Sequence, residues 1–297
     1  MSRIEGLSDA VFGFAITLLV VSLGAPRTYG ELTRMIAGFP AFVATFVLLV
    51  MVWLAQYKFF RRYGLEDPTT VRLNVVLLCF VVFLVYPLKF LCETFVALWI
   101  GPLGYLAGWR PLVDQMRDAQ HALQPEQWPS VMLVFATGYV AVFAVFVLLH
   151  RHALRQADAL GLDDVERLET RFAIVEHRVN IGVAVASVVV TYAVAYAPVA
   201  QGILPHVFGG AYGFGAILGG FTYALTGPVM IVLGRRHERR RRALLAARDA
   251  SEAPTSELPV TLVPAGALAT AAGAAPATAP RDFQLPDRSR PASSTRP

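Results

Sequence analysis

Charge is what this sequence has least of. Only 16% of its 297 residues are Asp, Glu, Lys or Arg, against about 25% in soluble domains. That is too few to cover a water-exposed globule of this size, which excludes an ordinary soluble enzyme. Cysteine is nearly absent too. Cys79 and Cys92 cannot make a disulfide scaffold or a metal cluster and read as small buried apolar residues. There is no GxxxxGK[ST] loop, no GxGxxG following a strand, no HExxH and no CxxC, so nucleotide-driven transport within this chain and zinc-protease chemistry drop out. His150 and His152 close an apolar stretch, where cationic side chains suit a helix end and the interface better than a metal. The periodic arginines of a voltage sensor and a TVGYG-like filter are also missing, which excludes an ordinary voltage-gated potassium channel.

What is there in quantity is apolar sequence: 56% of residues, with a mean hydropathy of +0.53. Windows free of charge run over 10–26, 35–57, 73–88 (reaching about 100 beyond Lys89 and Glu93), 127–149, 179–205 and 207–234. A bilayer span needs about 20 such residues, because a helix rises about 1.5 Å per residue across about 30 Å of hydrocarbon. Lipid offers no partner to bare backbone groups, so the spans should be helices. Runs such as FVATFVLLVMVWLA lack the alternation of a membrane β-barrel. The first window could pass for a signal peptide, but Glu5 and Asp9 at its mouth favour a retained helix. The expected fold class is an all-α integral membrane protein with six transmembrane helices.

Basic residues set the orientation. Arg3, the loop after span 2, the loop after span 4 and the segment after span 6 together hold seventeen Lys and Arg, against four in the opposite loops. Both termini are therefore expected in the cytoplasm of a multi-pass cell-membrane protein. The net charge of +5 then needs no nucleic acid, and RRHERRRR reads as an anchor on anionic lipid headgroups. Trp99, Trp109 and Trp128 are placed as an interfacial belt in and beside a loop over 101–129. The expected organisation is a six-helix domain over 1–234, a basic juxtamembrane segment over 235–250, and an Ala/Pro/Ser/Thr-rich tail over 251–297 that should be disordered.

Polar residues inside the spans are the candidate functional groups. Ser8 and Asp9 enter the first helix, where a central Asp costs about 2.5–3.5 kcal/mol unless paired. Arg3 is near enough in sequence to assist, and an interfacial capping arrangement is the plain alternative. Trp53, Gln56 and Asn74 lie in spans 2 and 3, where interhelical hydrogen bonding is the default, and they could receive the Ser8–Asp9 end. Lys89 and Glu93 stand at i, i+4 as a possible intramembrane ion pair.

The string Arg3-x-x-x-Leu7-Ser8-Asp9 followed by AVFGFAITLLV, with Trp53, Asn74 in RLNVVLL, and Pro87, resembles the transmembrane protein 175 family of potassium-permeable channels. The family signature has Phe where Leu7 stands, and often a His where Gln56 stands. The resemblance covers the six-span region and implies a homotetramer with the first helix of each subunit lining a central pore. It implies a hydrophobic constriction at Phe14, a Thr layer for cation selectivity at Thr17, and further lining by Leu18 and Val21. Helical geometry keeps these four on one face, within about 60° of Phe14.

The expected function is thus a passive channel with permeant K+ and no other cofactor, metal or catalytic residue. Arg3, Ser8, Asp9, Trp53, Gln56 and Asn74 would form the packing network that holds the pore helix. A proton-coupled transporter or proton leak using Lys89 and Glu93 is the alternative, and a non-conducting scaffold acting through the basic tail is a third.

Overall fold

The computed structural model describes residues 3–203 and 210–252. The expected tail lies outside them from 253 onward. The described chain is helical, with no strand among the described residues: α1 Arg3–Val21, α2 Tyr29–Tyr63, α3 Pro68–Ala107, α4 Arg110–His121, α5 Trp128–Arg155, α6 Asp164–Ala195, α7 Pro198–Ile203, α8 Gly210–Thr222 and α9 Thr226–Glu252. Six stretches are long and apolar enough to cross a membrane. They are α1, α2, α3, α5 with its leading turn, α6, and α8 with the first part of α9.

The charge-free windows marked helix centres and left out the ends. α2 and α3 have 35 and 40 residues, about 52 and 60 Å long, so both extend well past the hydrocarbon. Their ends follow local chemistry. Thr28 caps α2 by accepting from the Glu31 N–H, and Gly64, at φ 57°, takes the left-handed conformation that stops it. Asp67 caps α3, with Pro68 opening the helix. Asp163 and Glu166 form a reciprocal capping box on α6.

Several expectations change. The loop over 101–129 is largely helix: α3 runs on to Ala107, and α4 packs Leu112, Val113, Met116 and Ala119 back onto it. The fifth window breaks at Ala195, before Pro198, and the sixth is divided by a 3₁₀ turn over Tyr223–Leu225. Trp128 is buried against Phe95, whereas Trp99 and Trp109 are exposed. Cys79 is exposed, while Cys92 is buried as expected. The basic segment expected over 235–250 is helical and lies within α9.

The main core joins α1, α2, α3 and α5 through Phe12, Ala15, Leu19, Leu49, Phe59, Leu77, Val81, Val85, Phe146 and Leu149. α6 and α8 pack on a different principle. A Cβ on Gly215 would meet the Thr191 carbonyl at 2.7 Å, and one on Gly219 the Thr191 hydroxyl at 2.1 Å. This small-xxx-small pair lets the two backbones touch, which suits a solvent that gives helices no hydrophobic push.

The ends that the sequence crowds with basic residues are tied together at one pole of the bundle. Arg62 of α2 and Arg241 of α9 both pair with Glu169 of α6, at 2.7 and 3.0 Å. Tyr63 shares a hydrogen bond of 2.8 Å with Thr170, and His152 of α5 meets Asp67 at 2.8 Å. Burial opposes ionisation of Asp67, but bonds from the Thr70 hydroxyl, His152 and the backbone N–H groups of Thr70 and Thr69 outweigh it. The carboxyl is held below its ordinary range.

Candidate functional site

The buried face of α1 carries a compact polar knot. Ser8 is 3% exposed, and Gln56 and Asn74 are each 1% exposed. The Ser8 hydroxyl donates to the Ile4 carbonyl at 2.8 Å and accepts from Gln56 Nε2 at 2.8 Å and Asn74 Nδ2 at 2.9 Å. One donor and two lone pairs are all a hydroxyl has, so this serine is saturated. Gln56 Nε2 also donates to Asn74 Oδ1, closing a triangle between α1, α2 and α3. One residue further on, the Trp53 indole donates to Asp9 Oδ1 at 2.8 Å. Arg3 is exposed and stands outside these bonds. The structure thus joins five of the six expected residues, and Asp9 finds its partner in Trp53 where Arg3 was the nearest candidate in sequence.

At the other end of α1, Lys89 Nζ donates to the Ser22 carbonyl at 2.9 Å and lies 3.3 Å from Glu93. The expected ion pair is present, and a third group joins it. Lys89 thus meets the carbonyl just past the C-terminus of α1, where a cation is favoured by about 0.3–1 kcal/mol. Sequence reasoning missed this contact because its partners are 67 positions apart and one is a backbone oxygen.

Between the two anchors α1 is divided lengthwise. Ser8, Phe12, Ala15 and Leu19 are buried. Leu7, Ala10, Phe14, Thr17 and Val21 are exposed, Phe14 at 57% and Val21 at 69%. These five follow a 3-4-3-4 spacing, and the exposed Gly6, Gly13 and Val20 beside them complete one continuous helix face. Leu18 is half-buried against the core, at the edge of the exposed stripe. Leu7 and Ala10 extend the stripe and were not singled out from sequence, although the spacing is legible there. The Thr17 hydroxyl donates to the Gly13 carbonyl at 2.8 Å, which leaves its lone pairs free to face outward. No charged side chain lies on this face from Leu7 to Val21, and no metal-binding group of His, Cys, Asp or Glu occurs among the described residues.

A six-span helical membrane protein, with its first helix pinned at both ends and bare along one face, is the class that fold and site define. A family model described as "Endosomal/lysosomal potassium channel TMEM175" matches residues 3–84, the stretch that contains α1 and the whole polar knot. A potassium channel of Marivirga tractuosa is 31% identical over 244 residues, covering 82% of this chain and 90% of the relative. A potassium channel of Chamaesiphon minutus is 31% identical over 99 residues, 31% of this chain and 49% of its own. The crystal structure of a threonine-to-alanine variant of the potassium channel MtTMEM175, bound to a nanobody–MBP fusion, superposes with a TM-score of 0.65 at 29% identity. That match covers 80% of this chain and 94% of the other. The chain belongs to the TMEM175 family, as a multi-pass membrane protein.

Proposed function

We propose that this protein is a passive potassium-permeable cation channel, assembled from four copies with α1 of each lining a central pore. The observation that carries the reading is the exposed seam of α1, which is apolar apart from Thr17. Lipid covers an uncharged face as readily as another helix does, so the reading also leans on the family match over residues 3–84, the stretch that holds this seam. That its relatives are potassium channels supports the same conclusion.

Chemistry along the seam divides the work. Four Phe14 rings around an axis make an apolar constriction that closes by dewetting. Three residues on, four Thr17 hydroxyls present neutral oxygens that replace part of an ion's hydration shell. Val21 and the edge residue Leu18 continue the lining. Ser8, Gln56, Asn74, Asp9 and Trp53 hold the helix against the bundle, and Lys89 with Glu93 fixes its far end. The seventeen-to-four asymmetry of basic residues supports a cytoplasmic location for both termini in the cell membrane, with the basic stretch of α9 on anionic headgroups.

The test is potassium and sodium flux into liposomes holding the purified full chain. Phe14→Ala should raise potassium flux, and Thr17→Ala should reduce discrimination against sodium. Flux indifferent to both substitutions, or absent throughout, overturns the assignment of the pore to α1.

A further inference from the structure

A cleft of about 550 Å³ opens beside the core, within the range of about 300–1,000 Å³ that holds small ligands. Residues of α2, α3, α5, α6 and α9 line it, and none of α1. From Leu48 to Arg62 it follows about 21 Å of α2, enough for one hydrocarbon chain in a leaflet about 15 Å deep. One end is apolar, lined by Leu48, Met51, Leu84, Leu88 and Phe135. The other holds Lys58, Arg62, Glu176 and His177.

Three observations at the polar end point to a ligand. The His177 ring is 8% exposed and stacks on Phe146 at 5.1 Å, yet its Nδ1 has no hydrogen-bond partner among the described residues. A buried polar atom left unpaired is costly, and the residue that carries it lines the cleft. Second, Lys58 is exposed on the α2 wall, about 8 Å short of the helix end, with Glu176 within electrostatic reach. Third, Arg62 and Arg241 share the carboxylate of Glu169, while Glu238 pairs with Arg241 and Arg242. With Lys58 and Glu176, four cations therefore stand against three carboxylates at the pole where basic residues gather.

We infer that this cleft binds one acyl chain of an anionic glycerophospholipid. The phosphate sits on Lys58 with the free donors of Arg62. The His177 ring, whose Nδ1 is closed to solvent as it stands, turns in the plane of its stack to donate Nδ1–H to the ester carbonyl below the phosphate, and the chain runs toward Leu48 and Phe135. The order of groups down the cleft (cation, hydrogen-bond donor, hydrocarbon) is the order of groups down such a lipid. One cleft of this size takes one chain, so the lipid's second chain stays in the bilayer.

The experiment is native mass spectrometry of the full chain released from detergent, titrated with phosphatidylglycerol, phosphatidylcholine of the same chains, or oleate. Phosphatidylglycerol should be retained about tenfold more tightly than phosphatidylcholine, the factor expected for one charge-assisted hydrogen bond. Lys58→Gln should remove that preference. His177→Phe, which keeps the ring stack, should weaken both phospholipids alike. Ala173→Phe, which fills the cleft wall, should abolish retention while the chain elutes unchanged. Equal retention of the two phospholipids, insensitive to Lys58→Gln, overturns the inference, as does oleate displacing phosphatidylglycerol. Ala173→Phe changing the oligomeric state while leaving lipid retained would assign the cleft to contact between copies. Each readout is binding, so the inference stands or falls separately from conduction.

Discussion

The two long faces of α1 follow different rules. On the bundle side every residue is accounted for: Ser8 saturated by two amides and a carbonyl, and Phe12, Ala15 and Leu19 buried in the core. On the other side a seam of five positions stays exposed. Its uncharged surface suits lipid or copies of α1, and the proposed function assigns it to the copies. The contrast shows how one short element can be fixed in place and still present a working surface. The fold is written on one side and the proposed function on the other.

That contrast can be broken by substitutions on either side. Phe12→Ala should destabilise the solubilised protein by about 3 kcal/mol, because the cavity left in a packed core forfeits its contacts. Phe14→Ala, two residues away, should alter the stability of a single subunit by no more than about 0.5 kcal/mol. Thermal or denaturant unfolding of the two variants side by side would show this; equal losses would erase the distinction between the faces. Ser8→Ala leaves two buried amides short of an acceptor and should cost about 2 kcal/mol, with Ser8→Gly no better.

Asp9→Ala should be milder, about 1 kcal/mol for one interhelical hydrogen bond in a membrane. It should lower assembly or surface expression more than it changes ion preference; normal assembly with altered selectivity would move Asp9 from anchor to pore. The smallest effect concerns pH. Because the folded Asp67 carboxyl titrates below its ordinary value of 3.8, its contribution is complete above the unfolded value and is lost as pH falls through the folded one. Asp67→Asn should therefore flatten the acid side of a stability-against-pH curve and matter less below about pH 3 than at pH 6. A constant difference across that range would remove the carboxylate from the account.

Much of this was legible in the sequence, for physical reasons. Apolar length alone identified six spans, because the bilayer imposes it. The cost of bare polar groups in hydrocarbon singled out Ser8, Asp9, Gln56 and Asn74 before any contact was known. The rest depended on information that pattern does not hold. Arg3 was grouped with Asp9 by proximity along the chain, whereas folding brings Trp53 from 44 positions away. The Lys89 cap acts on a backbone oxygen, which has no sequence signal. Hydropathy could not foresee the break between Ala195 and Pro198 or the turn at Tyr223–Leu225, since the residues there remain apolar. The Gly215/Gly219 contact was readable as a motif, but its partner helix was not.

The most direct measurement is thiol accessibility along α1 during potassium flux. It starts from a chain freed of its own thiols by Cys79→Ala and Cys92→Ala, because Cys79 is exposed. Cysteine is then placed singly at Phe14, Thr17, Ala15 and Leu19, and a small thiol reagent is added to conducting liposomes. A pore on the bare seam predicts that Phe14→Cys and Thr17→Cys are blocked while Ala15→Cys and Leu19→Cys conduct unchanged. Block at Ala15 and Leu19, with none at Phe14 and Thr17, would contradict it.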